Sequence, residues 1–277
     1  MQARTMKRAA YSPRLTSNLG PSNLGWRQHR RRTRYALVAA LVAVLGVLGW
    51  LAWLGAFDAS PLRALAPRGD SRKDYAAVLI SGDMGPRAGM GAPVAQGLAD
   101  HGVAAVSINA LNYFRVRRSP AEVSAILAQA IRRAMALGHV GKVVVLGQSF
   151  GADMVHVGLE HLPADLRAHV ALVVLTVPTR TVFLRVSPLE WLDRTTPDAM
   201  AITSARKLDW VPVVCIRGQQ ETDSLCPLLH LPRLTQLALP GDHYLEHDAD
   251  RVFTTIRTVI AAHFQPAHLT RLPEPAR

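Results

Sequence analysis

The chain has few cysteines, and it has no acidic residue in its first 35 positions. Only two of its 277 residues are cysteine, and no group of histidines, cysteines and aspartates has the spacing of metal ligands. A metal centre is therefore not expected. The sequence also contains no internal repeat. Its length is enough for one domain with a sizeable core.

Positive charge is concentrated at the N-terminus rather than spread over the chain. The formal net charge is +12, from 32 Lys and Arg against 20 Asp and Glu. Residues 1–35 contain nine of these Lys and Arg residues and no acid, so they carry nine of the twelve net positive charges. The rest of the chain is nearly balanced, which argues against a nucleic-acid partner.

The next segment, residues 36–57, contains no charged residue at all. As a helix, its 22 residues would extend about 33 Å, close to the roughly 30 Å of hydrocarbon in a bilayer. Trp50, Trp53 and Phe57 lie toward its C-terminal end, as interfacial aromatic residues do. Because the basic cluster Arg30–Arg34 precedes it, the positive-inside rule predicts a cytoplasmic tail, a single membrane span and a domain on the far side of the membrane.

A cleaved signal peptide is the alternative, with Ala64–Ala66 as a small-x-small cleavage site. We favour an uncleaved anchor because the apolar run is long for a signal peptide. Pro67, directly after the site, is also unfavourable for cleavage.

Beyond the apolar segment, predicted strands and helices alternate. Residues 58–74 are predicted to be a linker, 75–264 one domain and 265–277 a tail. Most strands are continuous apolar runs in which polar and apolar residues do not alternate. This pattern is typical of a mostly parallel α/β sheet with helices on both faces. Residues 177–209, with three prolines and the amphipathic stretch Leu189–Leu192, interrupt this rhythm and are a candidate cap. The predicted strands are Tyr75–Ile80, Val103–Ile108, Val143–Leu146, His169–Thr176, Val211–Arg217 and Leu234–Leu239.

A G-x-S-x-G motif stands at the centre of this pattern. An apolar run ends in Gly147, Ser149 is the central serine, and a predicted helix follows Gly151 directly. A strand, a sharp turn and a helix in this order can raise the serine hydroxyl above the sheet as a nucleophile. The motif alone is weak evidence for a catalytic serine, but the strand before it and the helix after it make Ser149 a strong candidate nucleophile.

An acyl-transfer site also needs a general base and an acid that orients it. Glu221 and Asp223 follow a late strand, where the acid is expected, and the spacing favours Glu221. His243 follows the last strand and is the predicted base; His247 is close enough in sequence to be a rival, and His230 is a weaker one.

Oxyanion donors are expected from two backbone N–H groups. The residue after the nucleophile, Phe150, would supply one. Asp83 or Met84, in the glycine-rich turn after the first strand, would supply the other. A site of this kind needs no cofactor, and none is expected.

Six segments stand in one order along the chain: Ser81–Asp83, Leu111–Phe114 with Arg118–Pro120 after it, Gly147–Asp153, Leu162–Arg167, Glu221–Pro227 and Leu239–His243. Together they resemble the bacterial virulence-protein family that includes VirJ and AcvB, and the resemblance covers nearly all of 75–263. It implies a periplasmic serine hydrolase of α/β-hydrolase fold, which the predicted anchor would hold at the inner membrane. It also implies activity on aminoacylated phosphatidylglycerol.

The chain departs from that family at two points. Met84 replaces a glycine of the Ser-Gly-Asp-Gly-Gly-Trp loop, and the Trp is missing. The additional N-terminal region of AcvB-type chains is also absent. The first departure concerns the oxyanion loop or headgroup selection, and the second leaves the hydrolase domain whole.

If the substrate is an aminoacylated lipid, two further carboxylates are candidates for binding it. Asp83 and Asp153 are candidates to bind the cationic α-amine of an aminoacyl ester; for Asp153, charge stabilisation at a helix N-terminus is an equal alternative. If the domain is exported, Cys215 and Cys226 are expected to form a disulfide rather than remain as buried thiols. The alternative functions are a hydrolase-like binding protein for type IV secretion substrates and a lipase or carboxylesterase.

Overall fold

The protein is described from a computed structural model that covers residues 23–69, 73–186 and 196–264. The chain forms two compact units, of which the first ends at Gly49 and the second begins at Trp50; the second contains the α/β domain. In chain order the strands are β1 Leu62–Leu65, β2 Tyr75–Ile80, β3 Ala105–Ile108, β4 Lys142–Gln148, β5 Val170–Thr176, β6 Thr181–Val182, β7 Ala199–Met200, β8 Val213–Gly218 and β9 Leu234–Leu239. The helices are α1 Asn23–Leu54, α2 Gly91–Asp100, α3 Ala110–Tyr113, α4 Pro120–Gly138, α5 Phe150–Glu160, α6 Ala164–Arg167, α7 Ile202–Ala205 and α8 Ala249–Phe264.

The N-terminal helix α1 is long and apolar enough to cross a membrane. Its stretch Arg31–Leu54 spans 24 residues with a mean hydropathy of 2.5. By length and composition, a helix of this kind near the N-terminus could be a single membrane span or a signal sequence. It ends at Leu54, three residues before the predicted end, because Gly55 takes a positive φ of 93° that stops the helix.

Seven strands form one sheet in the order β1-β3-β2-β4-β5-β8-β9. All neighbouring pairs are parallel except β1 with β3, which is antiparallel. Helices α4 and α5 cover one face of the sheet, and α2 and α8 cover the other. The predicted mostly parallel α/β architecture is thus confirmed.

The edge strand β1 lies inside the segment that the sequence predicts to be a linker. Leu62 of this strand pairs with Ile108 and is buried in the core, so this segment is part of the folded domain. The strand escapes sequence analysis because it has four residues, of which Arg63 and Ala64 are exposed, and prolines flank it. Short, interrupted strands of this kind are characteristic of sheet edges.

The sequence predicts the start of α4, since Ser119 as the N-cap, a proline at the first helical position and Glu122 at the third are typical of a helix N-terminus. The Ser119 hydroxyl accepts from the Glu122 N–H, and the Glu122 carboxylate accepts from the Ser119 N–H. At the other end, Gly138 remains helical, and His139 adopts the left-handed conformation with φ of 55°. The sequence predicts that Gly138 stops the helix after Leu137, so α4 ends one residue later than predicted.

The candidate cap is described only at its two ends. Strands β6 and β7 form a short antiparallel pair there, followed by α7. Leu189–Leu192 lies outside the described residues. The cap therefore stays a prediction.

Candidate active site

Ser149 occupies a strained turn between β4 and α5. Its backbone has φ 52° and ψ −125°, a combination that L residues rarely adopt. A Cβ on Gly147 would meet the backbone of Ala152 at 2.6 Å, and one on Gly151 would overlap the Ile80 carbonyl. Both motif glycines are needed because the strand and the helix approach too closely for any side chain.

A chain of hydrogen bonds runs from the serine to a buried carboxylate. Ser149 Oγ lies 2.8 Å from His243 Nε2. The other ring nitrogen, Nδ1, lies 2.6 Å from Glu221 Oε1. The Glu221 side chain is only 3% exposed, whereas that of His243 is 32% exposed. The arrangement thus has an accessible imidazole between a hydroxyl and a shielded carboxylate.

Two adjacent strands bring the acid and the histidine together. Glu221 follows β8, and His243 follows β9. The two loops are joined because the Gln220 N–H donates to the Gly241 carbonyl at 3.0 Å. A Cβ on Gly218 would overlap the Asp242 carbonyl, so this glycine permits the close approach.

The surroundings of His243 favour its protonated form. Burial lowers the pKa of the imidazole, but the hydrogen bond and negative charge of Glu221 raise it. The charges of Asp153 and Asp83 add to this increase. The net result is a pKa above the ordinary value of 6.5.

The sequence-based rivals have other contacts. Asp223 is exposed and lines an open cleft of about 330 Å³ beside His243. The His247 ring stacks on Tyr244, and His230 Nδ1 lies 3.0 Å from the Leu228 carbonyl oxygen. Of the two carboxylates that the sequence left open, Glu221 is the one that contacts His243.

The predicted oxyanion donors differ in whether their N–H groups already have an acceptor. Phe150 is the first residue of α5, and N–H groups in a first turn have no acceptor within their helix. The Met84 N–H donates to the Asp83 carboxylate at 3.0 Å. The loop passes close to the elbow, because a Cβ on Gly82 would lie 3.7 Å from the Gln148 carbonyl oxygen. Met84 could thus donate to an oxyanion only after releasing Asp83.

Asp153 lies beneath the cleft and is buried. Its carboxylate accepts from the Thr179 N–H at 3.0 Å and from the Thr179 hydroxyl at 2.8 Å. Burial raises its pKa, although hydrogen bonds and the charge of His156 oppose the shift. Since Thr179 lines the cleft, Asp153 reaches that surface through Thr179.

Neither Thr179 nor the role of His156 was evident from the sequence. His156 is fully buried; its Nδ1 lies 2.8 Å from Ser204 Oγ, and its Nε2 lies 3.6 Å from Asp153. These contacts join residues 48 and 3 positions apart in the chain. A single threonine after a strand is not a pattern that predicts such contacts, so the sequence could not reveal them.

The two cysteines form a disulfide. It joins Cys215 in β8 to Cys226, with 5.6 Å between the Cα atoms. The bond closes the segment that bears Glu221 and Asp223. The Leu225 N–H next to it donates to the Pro178 carbonyl, which precedes Thr179. Both sides of the cleft are thereby connected.

Comparison with known proteins identifies the family. The model of the bacterial virulence protein family VirJ matches residues 74–263. The chain belongs to the VirJ family. A search of curated proteins gave no match.

Solved structures similar to this VirJ-family chain include hydrolases of low sequence identity. Est1E from Butyrivibrio proteoclasticus is 14% identical with a TM-score of 0.52, over 73% of this chain and 93% of that one. Proline iminopeptidase from Mycobacterium smegmatis is 13% identical with a TM-score of 0.50, over 74% and 95%. These similarities establish the α/β-hydrolase fold alone.

Proposed function

We propose that the protein is a membrane-anchored serine ester hydrolase that cleaves the aminoacyl ester of a phospholipid such as lysyl-phosphatidylglycerol. The observation that carries the proposal is the hydrogen-bonded series Ser149, His243 and Glu221, in which Ser149 stands on a strained elbow. Family membership and the α/β-hydrolase fold support hydrolase chemistry.

The geometry suits a two-step acyl transfer. Ser149 Oγ attacks the ester carbonyl carbon while its proton passes to His243 Nε2. His243 then gives that proton to the departing glycerol oxygen, which leaves an aminoacyl-enzyme. Water, deprotonated by the same imidazole, releases the free amino acid and restores the serine.

The supporting groups stabilise the charges that form in these steps. Glu221 holds the imidazole orientation and stabilises its positive charge. The Phe150 N–H and a donor of the Asp83–Met84 turn would stabilise the oxyanion.

The cleft has the charge expected for an aminoacyl substrate. Asp223 and Asp242 are exposed at its surface. An α-amine beside the scissile carbonyl, or a lysyl side chain, would be attracted to them. Asp153 would act through Thr179, since its carboxylate is occupied.

Strand β1 supports an uncleaved anchor in the inner membrane. Cleavage after Ala66 would remove Leu62–Leu65, and with it an edge strand of the sheet and the buried Leu62. The basic N-terminal flank supports a periplasmic domain. The disulfide supports the same compartment.

Product analysis tests the proposal. The full-length protein would be reconstituted in vesicles that contain lysyl- or alanyl-phosphatidylglycerol. We expect release of the free amino acid with fatty-acyl esters intact, and no release by Ser149→Ala.

Each other outcome contradicts the proposed substrate. Released fatty acid without amino acid would identify a lipase or carboxylesterase. No product, together with a Ser149→Ala variant that functions in cells, would favour a binding protein for secreted substrates.

A further inference from the structure

The end of helix α1 is fixed to the hydrolase domain. Trp50 and the residues that follow belong to the same compact unit as the sheet. Leu54, the last residue of α1, is only 2% exposed. A flexible connection would leave this leucine in water, so the segment after the helix is packed in place.

Arg87 caps the C-terminal end of that helix from outside. Its Nη1 donates to the Trp53 carbonyl at 2.9 Å and to the Ala52 carbonyl at 3.4 Å. Both its terminal nitrogens also lie 3.4 Å from Asp58 Oδ1. The last carbonyls of a helix have no intrahelical donors, and α1 has no basic residue of its own in its last turn. The guanidinium supplies a donor to the Trp53 carbonyl and a positive charge, whereas the Ala52 carbonyl also accepts from the Gly55 N–H at 3.0 Å.

Two asparagines hold the same segment from a second side. Asn109 Nδ2 donates to the Gly55 carbonyl at 2.9 Å and to Asp58 Oδ2 at 3.2 Å. Asn112 Nδ2 donates to the Asp58 carbonyl at 2.8 Å. Both asparagines are buried. Hydrogen bonds from buried side chains are costly to break, so they fix the segment firmly.

The residues between β2 and α2, 81–90, connect this segment to the elbow; we call them the β2–α2 loop. On one side, a Cβ on Gly85 would lie 2.6 Å from the Leu54 carbonyl oxygen. On the other, a Cβ on Gly89 would lie 3.5 Å from the side-chain amide of Gln148, the residue before Ser149. Arg87 lies between these two contacts in the chain.

We propose that the docked end of helix α1 positions the active site through Arg87, which acts as a positioning residue. Arg87 holds the β2–α2 loop, and with it the Asp83–Met84 turn, against the nucleophile elbow. This inference rests on the proposed hydrolase function for its kinetic test. It also means that the enzyme works only with its helix end in place.

The test compares Arg87→Ala, Arg87→Lys and a control, Arg68→Ala, in the full-length protein in lipid nanodiscs. Arg68 also forms an ion pair, with Asp100 at 3.2 Å, but at an exposed site outside the loop. A short soluble ester serves as the substrate, so that access to the bilayer does not affect the rate.

We expect Arg87→Ala to lower kcat about tenfold or more and KM to change less than about twofold, because a donor of the oxyanion loop is displaced. Arg87→Lys should recover part of the rate, since an ammonium cannot make the forked contact. Arg68→Ala should match the wild type. Equal kcat for Arg87→Ala and Arg68→Ala would overturn the inference.

Hydrogen exchange separates this inference from the proposed function. A wild type that cleaves neither the short ester nor the aminoacyl phospholipid would contradict the hydrolase proposal, and exchange of the amides of residues 81–90 would then decide whether Arg87 positions the loop. Faster exchange in Arg87→Ala than in Arg68→Ala supports the positioning role, and equal exchange overturns it. If Arg87→Ala does not fold, the same comparison is made with Arg87→Lys, and wild-type exchange with wild-type kcat overturns the inference.

Discussion

At the scale of single residues, the assignment of the catalytic acid depends on which carboxylate is hydrogen-bonded to His243. The Glu221 side chain is only 3% exposed and lies 2.6 Å from the imidazole, whereas Asp223 is exposed on the cleft. We predict that Glu221→Gln lowers kcat by roughly 10³–10⁴-fold, as amide replacement of a triad acid does. Asp223→Asn is the matched control and should change kcat by less than about threefold. A crippling effect of Asp223→Asn alone would reverse the assignment.

The same contact governs the pH dependence of the reaction. The neutral imidazole acts as the base, so kcat/KM should fall as the pH drops through the raised pKa of His243, above 6.5. Glu221→Gln removes the hydrogen bond and charge that raise this pKa. We therefore predict that the inflection in its residual kcat/KM moves to lower pH. An unchanged inflection would show that another group titrates.

Residue-level prediction from the sequence rests on motif order and spacing. The serine, acid and histidine stand in the chain order of this fold, spacing favours Glu221 over Asp223, and the structure brings Ser149, His243 and Glu221 within hydrogen-bond distance. The sequence could not show whether the Met84 N–H is available as an oxyanion donor, because its hydrogen bond to Asp83 depends on loop conformation. It could not show the partner of Asp153 either, since Thr179 is 26 positions away in the chain.

At the scale of the elements, the strand–turn–helix unit requires glycine where backbones meet. A Cβ on Gly151 would overlap the Ile80 carbonyl, whereas one on Gly141 would meet nothing within 4 Å. We predict that Gly151→Ala destabilises the domain by about 3 kcal/mol or more and abolishes activity, because backbone atoms cannot move aside. Gly141→Ala should stay within about 1 kcal/mol of the wild type. Equal melting temperatures for the two variants would contradict this packing.

Element boundaries follow the strength of the sequence signal. Strands β2 and β9 have the predicted bounds, and α4 begins at the predicted cap. Strand β1 was missed because its four residues are held by pairing with β3, a tertiary effect that local composition does not encode. The docking of the helix end was missed for the same reason, since Asn109 and Gly55 are 54 positions apart.

At the scale of the whole molecule, the account requires a domain outside the cytoplasm. The basic N-terminal tail and the apolar helix predict that the end of α8 lies in the periplasm. Alkaline phosphatase fused after Phe264 should therefore be active, and a fluorescent reporter that folds only in the cytoplasm should be dark. The reverse result would exclude both this topology and oxidative formation of the disulfide.

The central claim is that Ser149 is an activated nucleophile. Labelling of the folded full-length protein with a fluorophosphonate probe, followed by peptide mapping, tests it most directly. The account predicts covalent labelling at Ser149, no labelling of Ser149→Ala and much slower labelling of Glu221→Gln than of Asp223→Asn. A folded wild-type protein that remains unlabelled would contradict it.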